Sequence, residues 1–129
     1  MSLLNGFEPF DFDVGVASVS ITPNGLTFNR SVAIKLGFPS YALLLISREK
    51  KQIAIKACDK DTPKAMSFYK ETVEDAPIRS VRWNSRDLLN CLSEMMDWDL
   101  KKMSHRVEGK LLQEERAMLF DLTMATDMK

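Results

Sequence analysis

The sequence predicts a strand-rich α+β fold built from two units that each contain a short helix and a β-hairpin. Three observations support this prediction. Apolar and polar residues alternate within residues 14–22, which indicates a half-buried strand. A short apolar stripe between Asn29 and Gly37 indicates a helix. An almost wholly apolar run, residues 41–46, is followed by a polar turn and a second apolar segment, which is typical of a hairpin.

The first unit covers residues 14–58 and opens with two short strands. The turn at residues 23–25 contains Asn and Gly, which both tolerate positive φ, and residues 26–28 continue as the second strand. Three apolar residues of the first strand are expected to face the core: Ala17, Val19 and Ile21.

A short helix with a clear start and end follows. Asn29 is a favourable N-cap because its side-chain oxygen can accept an unpaired helix N–H. Gly37 supplies a left-handed residue after the helix, and Pro39 prevents its continuation. One face of this helix is apolar and is expected to be buried: Val32, Ala33 and Leu36.

The hairpin of the first unit is predicted from residues 41–46, a polar turn at residues 48–51 and a returning strand at residues 52–57. Ile53 and Ile55 are expected to point inward. A continuously apolar strand needs cover on both faces. A single unit of about 45 residues cannot provide that cover, so the second unit or another copy of the chain must supply it. We therefore expect a homodimer or a higher oligomer.

The second unit, residues 78–122, is predicted to repeat this plan. Val81 and Trp83 are expected to point inward, and either Asn84 or Ser85 caps the following helix. Five apolar residues form one helical stripe: Leu88, Leu89, Leu92, Met95 and Met96.

The remaining segments complete the domain organisation. Residues 105–109 and 117–122 are predicted to form a second hairpin around a longer turn. Residues 1–13 combine phenylalanines with acids and are predicted to be an extended arm. Residues 59–77 hold two prolines and eight charged side chains, as in a linker, and residues 123–129 are predicted to be a frayed tail.

The charge balance excludes a strongly basic protein. The 129 residues contain 18 basic and 18 acidic side chains, but residues 25–57 hold six basic side chains against one acid. No apolar run is long enough to span a membrane, and the N-terminus lacks the features of a signal peptide, so we expect a cytoplasmic protein without a membrane partner. Cys58 and Cys91 are far apart and are expected to be reduced, half-buried thiols.

Residues 14–58 resemble the AbrB-type swapped-hairpin domain, a family of bacterial DNA-binding modules. The resemblance rests on Gly25, the short strand at residues 26–28, the helix that ends at Gly37 and the apolar hairpin at residues 41–56. Two such units in one chain are similar to the MraZ arrangement. The resemblance implies that strands of two units interleave into one small barrel, and that arginines near the first strand and the following turn grip DNA.

The basic residues of this chain lie elsewhere, since residues 14–24 contain no Lys or Arg. The candidate residues for contacts with DNA phosphates are those of the basic middle segment: Arg30, Lys35, Arg48, Lys50 and Lys51. The alternative interpretation is a solvated hairpin turn whose lysines discourage edge-to-edge strand pairing.

No pattern in the sequence indicates an enzyme. His105, the single histidine, is expected to be partly buried and hydrogen-bonded, and the adjacent Ser104 does not make a catalytic pair with it. No residues are assigned to catalysis, to a cofactor or to a metal. Two functions remain open: a non-enzymatic bacterial regulator that associates with double-stranded DNA, and a protein-interaction or assembly module that binds no nucleic acid.

Overall fold

The computed structural model of the chain describes residues 15–70 and 79–128, together with Leu3. Two predicted segments lie wholly or partly outside this range: the arm at residues 1–13, apart from Leu3, and residues 71–77 of the linker. The described residues contain nine strands and two helices. Their bounds are β1 (Ser18–Thr22), β2 (Gly25–Phe28), α1 (Arg30–Leu36), β3 (Tyr41–Ser47), β4 (Gln52–Cys58), β5 (Met66–Ser67), β6 (Val81–Trp83), α2 (Arg86–Met96), β7 (Ser104–Leu112), β8 (Ala117–Asp121) and β9 (Thr126–Met128).

The nine strands form one antiparallel sheet in the order β5-β3-β4-β8-β7-β1-β2-β6, and β9 pairs with β7. The sheet curls into a half barrel, so its two end strands approach each other. Across this gap the indole Nε1 of Trp83 in β6 donates a hydrogen bond of 2.9 Å to the carbonyl oxygen of Ser67 in β5. The α+β class and the strand-rich content predicted from the sequence are therefore present.

Strands from the two halves of the chain are interleaved in this sheet, mostly in pairs: β3 and β4 are followed by β8 and β7, then by β1 and β2, then by β6. Four of the ladders, β3–β5, β4–β8, β1–β7 and β2–β6, join a strand that precedes residue 59 to one that follows it. The β2–β6 ladder is centred on Thr27 and Arg82, which each precede an aromatic residue that is followed by asparagine. The β4–β8 ladder is centred on Ala54 and Leu119, which each lie three residues after the left-handed residue of their hairpin turn. Both ladders are therefore centred on positions that correspond between the two halves of the chain.

The two helices begin and end as local sequence rules require. The Asn29 side chain accepts a hydrogen bond from the backbone N–H of Val32 at 3.3 Å, and Gly37 is left-handed with φ of 80°. Of the two predicted caps of α2, Ser85 is the one used, since its hydroxyl accepts from the N–H of Leu88 at 3.3 Å. Asp97 ends α2 in the left-handed region, a conformation that Asp tolerates better than most residues.

The core is shared by both units. The Phe28 ring is fully buried, and its centroid lies 5.2 Å from that of Trp83, 5.7 Å from that of Phe68 and 5.9 Å from that of Phe120. The predicted inward residues of the strands and of α1 are buried. In α2 only Leu89 and Leu92 are buried, whereas the other three residues of the predicted stripe are half-buried against the core.

The prediction of two-sided cover for the apolar strand β3 is not met within the chain. Only Ala42 of this strand is fully buried. Leu45 keeps 46% and Ile46 38% of its surface exposed. The second unit does not stack over the outer side of β3, because β8 pairs beside β4 and extends the sheet. The core therefore covers only one face of this strand.

The C-terminal part differs from the prediction in two ways. Strand β7 continues to Leu112, so the second hairpin has a short turn of four residues instead of the longer turn expected. Residues expected to be a frayed tail form a 3-10 turn, Leu122–Met124, and then β9, which pairs with the first residues of β7.

Candidate functional site

The turn between β3 and β4 carries three of the five predicted DNA-contact residues. Its backbone is held locally, because the Ser47 hydroxyl accepts from the N–H of Lys50 at 3.2 Å. Lys51 is left-handed, with φ of 54°, and its carbonyl oxygen accepts from the N–H of Leu122 at 3.0 Å. These two hydrogen bonds hold the turn backbone against its own strand and against the end of β8.

Arg48 points from this turn toward the second unit. Its Nη2 donates to Sγ of Cys91 in α2 at 3.2 Å. Lys50 and Lys51 are exposed, and within the described residues neither is in an ion pair. Cys91 and Cys58 are free, half-buried thiols, as predicted.

The other two predicted residues, Arg30 and Lys35, lie on α1 and are exposed. Lys35, in the last turn of α1, is close to the turn of the second hairpin. Nη2 of Arg116 lies 3.5 Å from the carbonyl oxygen of Leu36 at the end of α1, where the helix dipole favours a cation. Lys35 and Arg116 line one shallow depression of about 200 Å³.

The five predicted residues therefore do not form one cluster. The backbone N–H of Ala57 donates to the carbonyl oxygen of Arg116, whereas Lys51 bonds to Leu122 at the other end of the β4–β8 ladder. Six residue steps along a strand separate Lys51 from Ala57, which corresponds to about 20 Å. The structure thus contains two cationic positions at opposite ends of this ladder, one at Lys35 and one at Arg48.

Two further arginines, absent from the predicted set, lie on the outer side of the sheet. Cross-strand pairing places Arg106, Ser20, Thr27 and Arg82 in one row across β7, β1, β2 and β6. We call this row, together with Ser18, the polar outer face. Nε of Arg82 donates to the Thr27 hydroxyl at 3.3 Å, and Nε of Arg106 donates to the Ser18 hydroxyl at 3.2 Å.

The polar outer face contains β1, the first strand, near which the resemblance to swapped-hairpin proteins implies DNA-contacting arginines. That strand has no cation of its own, but strands β6 and β7 of the second unit supply one arginine on each side of it. Sequence reasoning missed this arrangement because Arg82 and Arg106 lie in different strands and meet β1 and β2 only through long-range pairing.

His105, expected to be partly buried, is buried with 7% of its surface exposed. Its ring stacks on Trp98, with the two ring centroids 3.9 Å apart and the planes 14° apart. Nδ1 of His105 in β7 lies 3.2 Å from Oδ1 of Asp127 in β9, so this side-chain contact joins the last strand to β7. Ser104 precedes His105 in a strand and therefore faces the opposite side of the sheet.

Candidate ligand sites within the described residues are open depressions. One of about 950 Å³ lies between the turn at residues 23–24 and α2, and its lining combines Arg86, Asp99 and Lys101 with Leu89 and Trp98. No group of three or more His, Cys, Asp or Glu side chains in residues 15–70 and 79–128 is placed to hold a metal ion. Neither described helix has the length and apolar character needed to cross a bilayer.

Comparison of the chain with protein-family models, with curated proteins and with solved structures finds no match.

Proposed function

We propose that the chain is a non-enzymatic bacterial regulator that associates with double-stranded DNA in the cytoplasm, and that its fold is of the swapped-hairpin, AbrB-like type with both units in one chain. The observation that supports this proposal is the interleaving of strands from the two units, which pair at corresponding positions in the β2–β6 and β4–β8 ladders. An interleaved barrel made from two strand–helix–hairpin units is what the resemblance implies.

The proposed DNA contacts are electrostatic. Arg48, Lys50 and Lys51 lie in the β3–β4 turn, and Arg30 and Lys35 lie on α1, whose C-terminal end is beside the second hairpin turn at the other end of the β4–β8 ladder, about 20 Å along the strand. All five are exposed, and none is in an ion pair within the described part of the chain. Each phosphate that such a cation neutralises releases a counterion, so binding weakens as salt concentration rises.

The test is the affinity of the full chain for a mixed-sequence duplex, measured by fluorescence anisotropy at several salt concentrations. The variant R48E/K50E/K51E is expected to lose about tenfold or more in affinity and to show a shallower salt dependence. R30E/K35E is expected to bind more weakly as well, because the duplex spans both cationic positions.

A matched control is the variant K64E/K101E/K102E. It changes the charge by the same amount at exposed positions outside the two proposed sites, and Lys64, like Lys51, has a positive φ. This control is expected to keep most of the affinity. An unmodified chain that binds no duplex at low salt, or a control that loses as much as R48E/K50E/K51E, would contradict the proposal.

The second candidate function is a protein-interaction or assembly module that binds no nucleic acid. The specific observation in its favour is the incomplete burial of β3, where Leu45 remains 46% exposed. Self-association without any duplex affinity would select this function over the first.

A further inference from the structure

We propose that a second copy of this chain packs face to face on the outer side of β3, β4, β8 and β7. The sequence predicts a homodimer but not the surface that forms it, and the curled sheet provides a specific surface. The proposal is independent of DNA binding, and its test contains no DNA.

The surface follows from strand alternation. Ala42, Ile53, Ile55, Met118 and Phe120 point into the core and are buried. The residues between them therefore point outward. In the ladders Leu45 pairs with Ala54 and Ala54 with Leu119, which places three apolar side chains in one row across three strands. With their outward neighbours they form the apolar outer face: Leu43, Leu45, Ala54, Leu112 and Leu119.

The polar outer face provides an internal comparison. Both faces belong to the same curled sheet, and both lie on the side away from the core. On β1 and β2 the outward positions hold Ser20 and Thr27, as expected for a sheet face that contacts water. On β3 the outward positions hold Leu43 and Leu45. Solubility alone does not explain leucines at these positions, but burial by a partner does.

The charges around the apolar outer face suit a second identical copy. Five charged side chains lie on the outer side of these four strands, and both signs are present: Lys56, Arg106, Lys110, Glu108 and Asp121. The Thr123 hydroxyl donates to Asp121 at 2.6 Å, and this hydrogen bond is the main cause of a lowered pKa of Asp121, so the carboxylate is charged at neutral pH. A face that carries charges of both signs can pair unlike charges with its own copy, whereas it offers little net attraction to a polyanion.

The size of the face sets the expected strength of the dimer. Four strands spaced about 4.8 Å apart, with an average of seven residues rising about 3.4 Å per residue, cover roughly 450 Å². Two copies then bury about 900 Å² in total, less than the roughly 1,600 Å² of a standard interface. We therefore expect a two-fold dimer that dissociates on dilution, not an obligate one.

The test is sedimentation equilibrium of the full chain between about 1 µM and 1 mM, a range chosen for weak interfaces of this size. The unmodified chain is expected to shift from monomer to dimer across this range. Leu45→Lys and Leu119→Lys are each expected to raise the dimer dissociation constant at least about tenfold, because an unpaired charge is buried in the interface.

Ser20→Lys is the matched control, since it places the same cation at an outward strand position of the polar outer face. It is expected to leave the dissociation constant unchanged. Leu45→Thr keeps a strand-forming residue and introduces no charge, so it serves as the second variant if the lysine variants do not fold. It is expected to weaken the dimer less than Leu45→Lys does. A chain that stays monomeric at 1 mM, or folded variants that dimerise as well as the unmodified chain, would overturn the proposal.

Discussion

The hairpin turns of the two units have the same length and a left-handed last residue but opposite charge. Each has four residues, and the fourth is left-handed: φ is 54° at Lys51 and 49° at Arg116. The first turn contains three cations and one acid, and the second contains two acids and one cation. The pairing of the flanking strands therefore fixes the length of each turn and the conformation of its last residue. It does not constrain the charge of the turn side chains.

The charge difference is matched by the helices beside the turns. The first turn contacts α2 through Arg48, and α2 includes Asp87 and Glu94. The second turn contacts α1 through Arg116, and α1 contains no acid. Each turn thus lies near a helix of complementary charge from the other unit. Part of the positive potential of the first turn is consequently balanced within the chain, which makes the duplex-binding test of R48E/K50E/K51E a stringent one.

The largest expected effect comes from the aromatic pair at equivalent positions of β2 and β6. Phe28→Ala removes the ring at the centre of the shared core and is expected to cost about 3–5 kcal/mol of unfolding free energy. Trp83→Ala is expected to cost a similar amount. Each variant should lower the melting temperature by roughly 10–20 °C in a single transition, measured by circular dichroism and calorimetry. Two separate transitions would show that the units do not share one core.

A smaller effect is expected at the helix caps, where the units differ. The Asn29 side chain accepts from the N–H of Val32 and from that of Ser18, and it donates to the carbonyl oxygen of Val16 and to the Ser18 hydroxyl. Ser85 makes only its cap bond. Asn29→Ala is therefore expected to cost about 2 kcal/mol and Ser85→Ala about 1 kcal/mol in denaturant unfolding.

Asn29→Asp serves as a control for this difference. It keeps the cap acceptor and loses the two donated bonds, so its cost should fall between those of the two alanine variants. Equal costs for Asn29→Ala and Ser85→Ala would mean that the bonds from Asn29 to the first strand add nothing to stability.

The smallest effect is expected where the helices end. Gly37 and Asp97 occupy the same left-handed position, but only glycine does so without steric cost. Gly37→Ala is expected to destabilise the chain by about 1 kcal/mol, and Asp97→Gly to stabilise it by about 0.5 kcal/mol. A Cβ at Gly37 would meet its nearest atom at 3.8 Å, so crowding does not contribute. A stabilising Gly37→Ala in urea titrations would refute this assignment.

The first unit was predictable because its signals are local. Asn29 and Gly37 bound a helix whatever the rest of the chain does, and Ile53 and Ile55 mark a strand by alternation alone. The second hairpin was placed less well. Its turn, residues 113–116, contains no Gly, Pro or Asn, and only pairing between Leu112 and Ala117 shows where it begins. Likewise, nothing near residues 126–128 indicates that Asp127 reaches His105.

The candidate site was predictable only as a set of residue types. The sequence identifies cations at positions 30, 35, 48, 50 and 51, and the structure confirms that they are exposed. Their division between two positions about 20 Å apart depends on which hairpin turn lies beside which helix. The arrangement of Arg82 and Arg106 around the first strand depends in the same way on register between segments far apart in sequence.

The alternation of strands has a consequence for how this chain reaches its native state. Ser18 in β1 pairs with Glu108 in β7, so the first strand cannot form this ladder until about 90 more residues have been synthesised. Contacts of such long range must overcome the entropy of closing large loops before they stabilise anything, and proteins dominated by them fold in milliseconds to seconds rather than microseconds. During synthesis the leucines of β3 emerge before β8 exists to pair beside β4, which leaves the nascent chain dependent on protection from aggregation.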